Sequence, residues 1–191
     1  MSRKNDEAWL IRGRQRSAIA RVLRKPMTAS DMCRATQPLN PHIQLRDVWF
    51  IMSQFKARAL AHCLNPNHTT GKVYALTERG RRLALRTFGT MAVEPAPGID
   101  WRRYAKVVRA KTRTAVLLQL AALNARGGIT ATMLRKGLRE RHPIGLNPTI
   151  RALKELEQAG LATSRTLGDK DRRRRYTITK SGAAIARQLL A

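Results

Sequence analysis

A ten-residue segment near the start of the chain returns, with conservative substitutions, 97 positions later. Residues 10–19, LIRGRQRSAI, match residues 107–116, VVRAKTRTAV, so that aliphatic, cationic and small or hydroxyl-bearing positions coincide. Three further blocks follow in the same order at offsets of 101 or 102, and the last of them pairs residues 74–80 with residues 176–182. Four matching blocks in one order indicate a duplication, so the fold is to be predicted for one module that occurs twice.

The length of the chain fits this duplication. Its 191 residues, 43% of them hydrophobic, allow two modules that each bury a core. We expect a first domain over residues 1–88, a linker over residues 89–99, which contain Pro95 and Pro97, and a second domain over residues 100–191. No apolar run approaches the roughly 20 residues of a membrane span, and no secretory signal is recognisable. Two isolated cysteines fit a reducing compartment, so we expect a cytoplasmic protein without membrane partners.

Charge is the second strong signal. The chain carries 38 Lys and Arg against 12 Asp and Glu, a net charge of +26. Residues 1–90 hold 17 basic and 5 acidic side chains, and residues 91–191 hold 21 and 7, so both modules are basic. Such a charge predicts a polyanionic partner, most often nucleic acid and less often anionic lipid. We therefore expect a nucleoid-associated protein.

The sequence offers little for catalysis or metal binding. It has no phosphate-cradling glycine motif and no nucleophile with a recognisable base. Glu155 and Glu157 are two apart on a predicted helix and face different directions. The spacing of His62, Cys63 and His68 fits no usual zinc pattern. We therefore expect no enzyme activity, no cofactor and no metal.

The second module has clear signals for each element. Asp100 can cap a helix over residues 101–123, and Thr130 can cap a short second helix. Asn147-Pro148 predicts the start of a third helix, with Asn147 as its cap. This helix is expected to bury Ile150, Leu153 and Leu156 and to end at Gly160. Strands over residues 161–167 and 176–179 flank a basic loop, and a last helix covers residues 181–190. This order predicts a mainly α fold with a small β-hairpin wing.

The wing region resembles that of MarR-type transcriptional regulators and is similar to archaeal-type winged-helix regulators. The resemblance rests on Gly160-Leu161, on the DKDRR segment at residues 169–173 and on the ITKSG segment at residues 178–182. It implies two tandem winged helix-turn-helix domains, with the third helix in the DNA major groove and the wing on the minor groove. MarR-type proteins carry one such domain per chain, so the tandem arrangement leaves the usual homodimer open.

The first module follows the same order with weaker signals. Its first helix passes through Ile19 and Leu23, and Thr28 caps the second. Asn40-Pro41 predicts the start of a third helix that runs to about residue 58. Strands are expected over residues 60–64 and 72–77. The loop between them, residues 65–71, is neutral where the second module is cationic.

The predicted DNA-reading residues of the second module lie on its third helix and its wing. Arg can bond guanine in two places, Asn can bridge adenine, and a threonine can bond a base or touch a thymine methyl. On the helix we expect Asn147, Thr149, Arg151 and Lys154 to face the groove. On the wing we expect contacts from Lys170, Arg172, Arg173, Arg174 and Arg175, because clustered guanidinium groups repel one another unless an anion lies between them.

The predicted contacts of the first module are fewer. Its third helix presents Gln44, Arg46 and Ser53, together with Asp47 and with Phe50 at the position of Arg151. We therefore expect the first module to read DNA less strongly, or to bind a protein partner or effector. In both modules the first helix carries a matched pair of arginines that can clamp phosphates, or form an ordinary solvated face: Arg12 and Arg16, Arg109 and Arg113.

These signals together predict a sequence-specific transcriptional regulator that binds double-stranded DNA. Structured-RNA binding and non-specific architectural DNA binding are the alternatives. Aromatic residues make up only 5% of the chain, mostly at expected core positions, which argues against single-strand binding. Two domains can cover two half-sites as a pseudo-dimer, and a homodimer through helices near residues 81–88 or 182–190 remains open.

Overall fold

The structure is a computed structural model that describes residues 3–123, 127–140, 142–166 and 174–191. The chain folds into two compact units, Met1–Pro97 and Gly98–Leu190. Each unit is mainly helical and contains one three-stranded antiparallel sheet. The two units therefore share one α+β architecture, consistent with tandem winged-helix-like domains.

The elements occur in the same order in both units. The first unit contains α1 Arg3–Arg12, α2 Arg14–Val22, β1 Met27–Thr28, α3 Ala29–Thr36, α4 Leu45–Ala57, β2 Ala61–Cys63, β3 Val73–Leu76 and α5 Glu78–Phe88. The second contains α6 Trp101–Val108, α7 Lys111–Leu123, β4 Ile129–Thr130, α8 Ala131–Leu138, α9 Leu146–Gln158, β5 Ala162–Thr166, β6 Arg174–Ile178 and α10 Lys180–Leu190. The predicted hairpins and last helices are confirmed.

Each sheet gains a short strand that the sequence did not predict. The strand orders are β1-β3-β2 and β4-β6-β5, and all neighbours are antiparallel. β1 and β4 are two residues long, too short to show an alternating pattern. Each ends on a threonine that caps the following helix: Thr28 accepts the backbone N–H of Asp31, and Thr130 that of Met133. Both predicted threonine caps are confirmed, and so is the Asp100 cap of α6.

The ten-residue repeat contains a break between two helices in each unit. The prediction of one helix over residues 101–123 is therefore wrong. The chain interrupts the helix after Arg12 in the first unit and after Val108 in the second. Across the break, Ser17 Oγ donates a hydrogen bond to the Leu10 carbonyl oxygen at 2.8 Å. Thr114 Oγ1 donates to the Val107 carbonyl oxygen at 3.0 Å. A matched hydroxyl thus donates to a carbonyl near the end of the first helix at the same place in both copies.

A second repeated contact joins the start of the last helix of each unit to the end of the third helix. Thr77 Oγ1 donates to the Ala59 carbonyl oxygen at 2.7 Å and accepts the backbone N–H of Gly80 at 3.1 Å. Thr179 Oγ1 makes the same two bonds, to Gly160 at 2.9 Å and from Gly182 at 3.0 Å. One threonine therefore anchors the helix start to the end of the preceding helix in both units.

The third helices begin at positions other than those predicted. α4 begins at Leu45, four residues after Pro41, because the Asp47 carboxylate accepts the Gln44 backbone N–H at 2.9 Å and fixes the helix start there. α9 has Gly145 as its N-cap, which places Asn147 inside the first turn. Asn147, which the Asn-Pro pair predicted as the N-cap, is therefore not the cap, and the predicted start at Asn40-Pro41 is also wrong.

These starts set which side of each helix is buried. α4 buries Val48, Ile51, Met52 and Phe55. α9 buries Thr149, Ala152, Leu153 and Leu156, the matching positions at an offset of 101. Ile150, predicted to be buried, is only half-buried, and its counterpart Trp49 is 58% exposed. Leu153 and Leu156 are buried as predicted, so the sequence prediction erred at the edge of the buried face, where Thr149 is buried in place of Ile150.

Part of the expected linker packs on the first unit. Thr90 is buried, and the Val93 backbone N–H donates to the Arg24 carbonyl oxygen at 2.6 Å. Arg81 Nη2 lies 3.4 Å from Glu94 Oε2. Residues 90–94 therefore belong with the first unit in the structure.

Exchanging one residue between the repeats should have opposite effects on the two units. Ala59 has φ 54° and its counterpart Gly160 has φ 68°, a left-handed conformation that favours glycine. We expect Ala59→Gly to raise the free energy of unfolding of the first unit by up to about 1 kcal/mol, and Gly160→Ala to lower that of the second by about 1 kcal/mol. Urea unfolding of the full chain measures both, and changes of the same sign would contradict the assignment.

Candidate nucleic-acid interface

The start of α9 presents three of its four predicted reading residues to solvent. Asn147, Arg151 and Lys154 are exposed on one side of the helix. Thr149 is fully buried, and its Oγ1 donates to the Gly145 carbonyl oxygen at 2.9 Å. Thr149 is therefore not available to a groove, and its prediction is wrong: the hydroxyl closes the first turn of the helix and the methyl packs in the core.

A shared carboxylate holds Arg151 at the surface. Glu155 Oε1 accepts from Arg151 Nε at 3.1 Å, and Glu155 Oε2 lies 3.2 Å from Arg113 Nε. The Arg151 side chain nevertheless remains 83% exposed, whereas that of Arg113 is 23% exposed. The bond uses Nε, so it fixes the direction of the guanidinium while its terminal nitrogens can still reach a base edge. The sequence signal for this support was only the spacing of four residues between Arg151 and Glu155.

The base of the wing adds exposed cations on both faces of its hairpin. Arg174 is exposed and lies 3.9 Å from Glu157, whose other carboxylate oxygen accepts from Ser164 Oγ at 2.6 Å. Arg175 is half-buried and pairs across the sheet with Arg165, so these two share the opposite face. Arg165 was not among the predicted contacts. Lys170, Arg172 and Arg173 lie outside the described residues.

The arginine pairs of the first helices split between surface and interior. Arg12 and Arg109 are exposed, as phosphate contacts require. The Arg16 guanidinium lies 4.4 Å from the centre of the Trp9 ring, and burial together with the charge of Arg58 lowers its pKa. Arg16 and Arg113 therefore make contacts within their own units, and their role as phosphate clamps stays a prediction.

α4 presents a different surface from α9. Arg46 is 81% exposed, but Gln44 caps the helix and Ser53 Oγ donates to the Phe50 carbonyl oxygen at 2.7 Å. Phe50 is 65% exposed at the position of Arg151, beside the exposed Trp49. The expectation that most aromatic residues lie in the core is therefore wrong for these two. Both helices have an amphipathic sequence, so the sequence does not show that Trp49 and Phe50 lie on the exposed side of α4. That follows only from which residues the helix buries in the structure.

Other kinds of site receive no support from the described part of the chain. There, no three His, Cys, Asp or Glu side chains come together as a candidate metal site. None of the described helices is long and apolar enough to cross a membrane. Neither protein-family models nor curated protein sequences give a match to the chain.

Proposed function

We propose that this protein is a sequence-specific transcriptional regulator that binds double-stranded DNA, with α9 in the major groove and the Arg-rich wing on the adjacent minor groove. The observation that carries the proposal is the exposed face of α9. Asn147, Arg151 and Lys154 combine an adenine-bridging amide, a guanine-binding guanidinium and a further cation on the first turns of one helix.

The surroundings of α9 support a nucleic-acid partner. The Arg151 guanidinium is oriented by Glu155 before binding, which lowers the entropic cost of a directed contact. Arg165 and Arg174 at the wing base extend the cationic surface beyond the helix. Together with the net charge of +26, these groups favour a phosphate backbone flanking the reading helix.

The resemblance to MarR-type and archaeal-type winged-helix regulators fits this proposal, since the units have the required element order. Because the chain carries two such units, we propose that one chain covers two unlike half-sites. The MarR-type alternative is a homodimer through α5 or α10, which equilibrium sedimentation of the full chain distinguishes from a monomer.

Selection from a random duplex library at about physiological salt tests the proposal. We expect enrichment of a defined motif, because base-edge contacts discriminate between sequences. Tight binding without enrichment would contradict sequence reading and assign the chain to non-specific DNA binding. Preference for a folded RNA over the selected duplex would assign it to RNA binding.

Arg151 and Arg46 form a matched pair for locating the reading helix. Both are more than 80% exposed, and both lie within 4.0 Å of a carboxylate, so each alanine variant removes one similar charge. We expect Arg151→Ala to weaken binding to the selected duplex by about tenfold or more and to relax one position of the motif. Arg46→Ala should lower the affinity for the selected duplex only about twofold to threefold, as the loss of one peripheral charge does. Equal losses in a mobility-shift assay would remove the proposed asymmetry.

A further inference from the structure

The third helix of the first unit exposes two adjacent aromatic rings between two cations. Its outer side, here called the aromatic face, comprises Arg46, Trp49, Phe50, Ser53 and Lys56, all of them exposed. Among the described residues, neither Trp49 nor Phe50 stacks on another ring or on a guanidinium. Large exposed aromatic side chains on one patch mark a binding surface more often than a scattered single one does.

Packing of the helix does not explain these rings. α4 already buries Val48, Ile51, Met52 and Phe55 on its inner side, and three of these are at most 1% exposed. Trp9 of the same unit is covered instead, since the guanidinium groups of Arg16 and Arg58 lie 4.4 and 4.2 Å from its ring centre. The unit therefore covers one tryptophan and leaves another open.

We propose that the aromatic face binds unpaired nucleotides of a DNA strand, with the bases stacked on Trp49 and Phe50 and the phosphates beside Arg46 and Lys56. Every base has a face that can stack on an aromatic ring, so such a surface tolerates any sequence. Lys56 lies ten residues after Arg46, a rise of about 15 Å along the helix, which spans two or three nucleotides of an extended strand.

Charge selects this occupant over other apolar partners. The only carboxylate of α4 belongs to Asp47, which accepts the Gln44 backbone N–H. A second copy of the chain would bring two molecules of charge +26 together, with Arg46 and Lys56 of both at the contact. A nucleic-acid strand supplies anions and planar apolar surfaces at once. The choice of DNA over RNA rests on the proposed function of the second unit.

The test measures binding of the full chain to a fluorescein-labelled 12-nucleotide oligothymidylate by anisotropy, at about physiological salt. We expect Phe50→Ala and Trp49→Leu each to weaken this binding by about tenfold. Both side chains are exposed, so the melting midpoints should not change. Leu85→Ala removes an apolar side chain that is 51% exposed on α5 of the same unit, and it should leave the affinity unchanged.

Fluorescence locates the contact. Oligothymidylate should quench the tryptophan emission of the wild type, and Trp49→Leu should abolish the quenching although Trp9 and Trp101 remain. Arg151→Ala should retain oligothymidylate binding while its binding to the selected duplex weakens by about tenfold or more. This contrast separates the present proposal from the proposed function, since either can fail while the other holds.

Four results would overturn the proposal. The first is an oligothymidylate affinity that does not respond to either aromatic variant. The second is equal or tighter binding of a 12-nucleotide oligouridylate, which assigns the face to RNA. The third is an oligoglutamate peptide that binds the wild type more tightly than the oligonucleotide does and fails to bind Trp49→Leu, which assigns it to an acidic protein. The fourth is dissociation of a dimer by Trp49→Leu with unchanged oligothymidylate binding, which assigns it to a second copy.

Discussion

Replacing Gly182 with alanine is expected to lower the free energy of unfolding of the second unit by about 3 kcal/mol. A Cβ at this position would overlap the Leu161 carbonyl oxygen and lie 2.9 Å from Ile178 Cγ1. The carbonyl cannot move freely, because it accepts the Thr179 backbone N–H at 3.1 Å. Gly80 has the same relation to the Leu60 carbonyl oxygen, so Gly80→Ala should destabilise the first unit similarly.

The measurement is thermal unfolding of the full chain followed by circular dichroism. For a unit of this size, the expected loss lowers the melting midpoint by more than about 10 °C. Gly137→Ala is the matched control in the second unit, because its Cβ would meet only the end of the flexible Gln119 side chain. Because Gly137 lies within helix α8, its replacement by alanine should raise the free energy of unfolding of the second unit by up to about 1 kcal/mol. A Gly182→Ala protein as stable as the wild type would show that α10 can withdraw from the sheet at little cost.

Replacing Asp6 with asparagine is expected to destabilise the first unit by about 3 kcal/mol. The Asp6 side chain is only 3% exposed, and its carboxylate accepts from Arg58 Nη1 at 2.9 Å and from Arg79. Arg58 also covers the Trp9 ring. Without the carboxylate charge, the guanidinium groups of Arg58 and Arg79 lose their shared anion, and that of Arg58 stays packed on the Trp9 ring. Because Arg79 is partly exposed, water compensates part of the lost stability.

Glu7→Gln supplies the adjacent control. The Glu7 carboxylate lies 3.0 Å from Arg86 Nη2, but both side chains are more exposed than Asp6, at 35% and 54%. An exposed ion pair contributes about 1 kcal/mol or less, so this variant should melt close to the wild type. Urea unfolding of both proteins gives the comparison. Equal effects of the two substitutions would mean that burial of Asp6 does not strengthen its ion pairs.

The helix caps show what local sequence can predict. Asp100, Thr28 and Thr130 cap the helices that the pattern assigned to them, because a cap depends on residues only two or three positions apart. The start of α4 shows the limit of this reasoning. Asn40-Pro41 is also a start signal in sequence, but in the structure the helix begins after Gln44, where the Asp47 carboxylate accepts the Gln44 backbone N–H at 2.9 Å.

The candidate interface was predicted in part for the same reason. The exposed positions of Asn147, Arg151 and Lys154 follow from an amphipathic helix, but Thr149 required the exact rotation of its core face. The Arg12 and Arg16 pair could not be separated from sequence, since the two residues are one helical turn apart. Trp9 separates them in the structure, because its ring accepts the Arg16 guanidinium at 4.4 Å.

The sequence by itself determined the duplication, the order of elements and the basic character of both units, because these depend on repeats, short-range periodicity and composition. Only the tertiary structure decided which side chains point outward and which ions pair. Asp6 meets Arg58 and Arg79 across 52 and 73 residues, a separation over which no local pattern operates. Trp9 and Trp49 are the same residue type, and the rest of the fold covers one and leaves the other exposed.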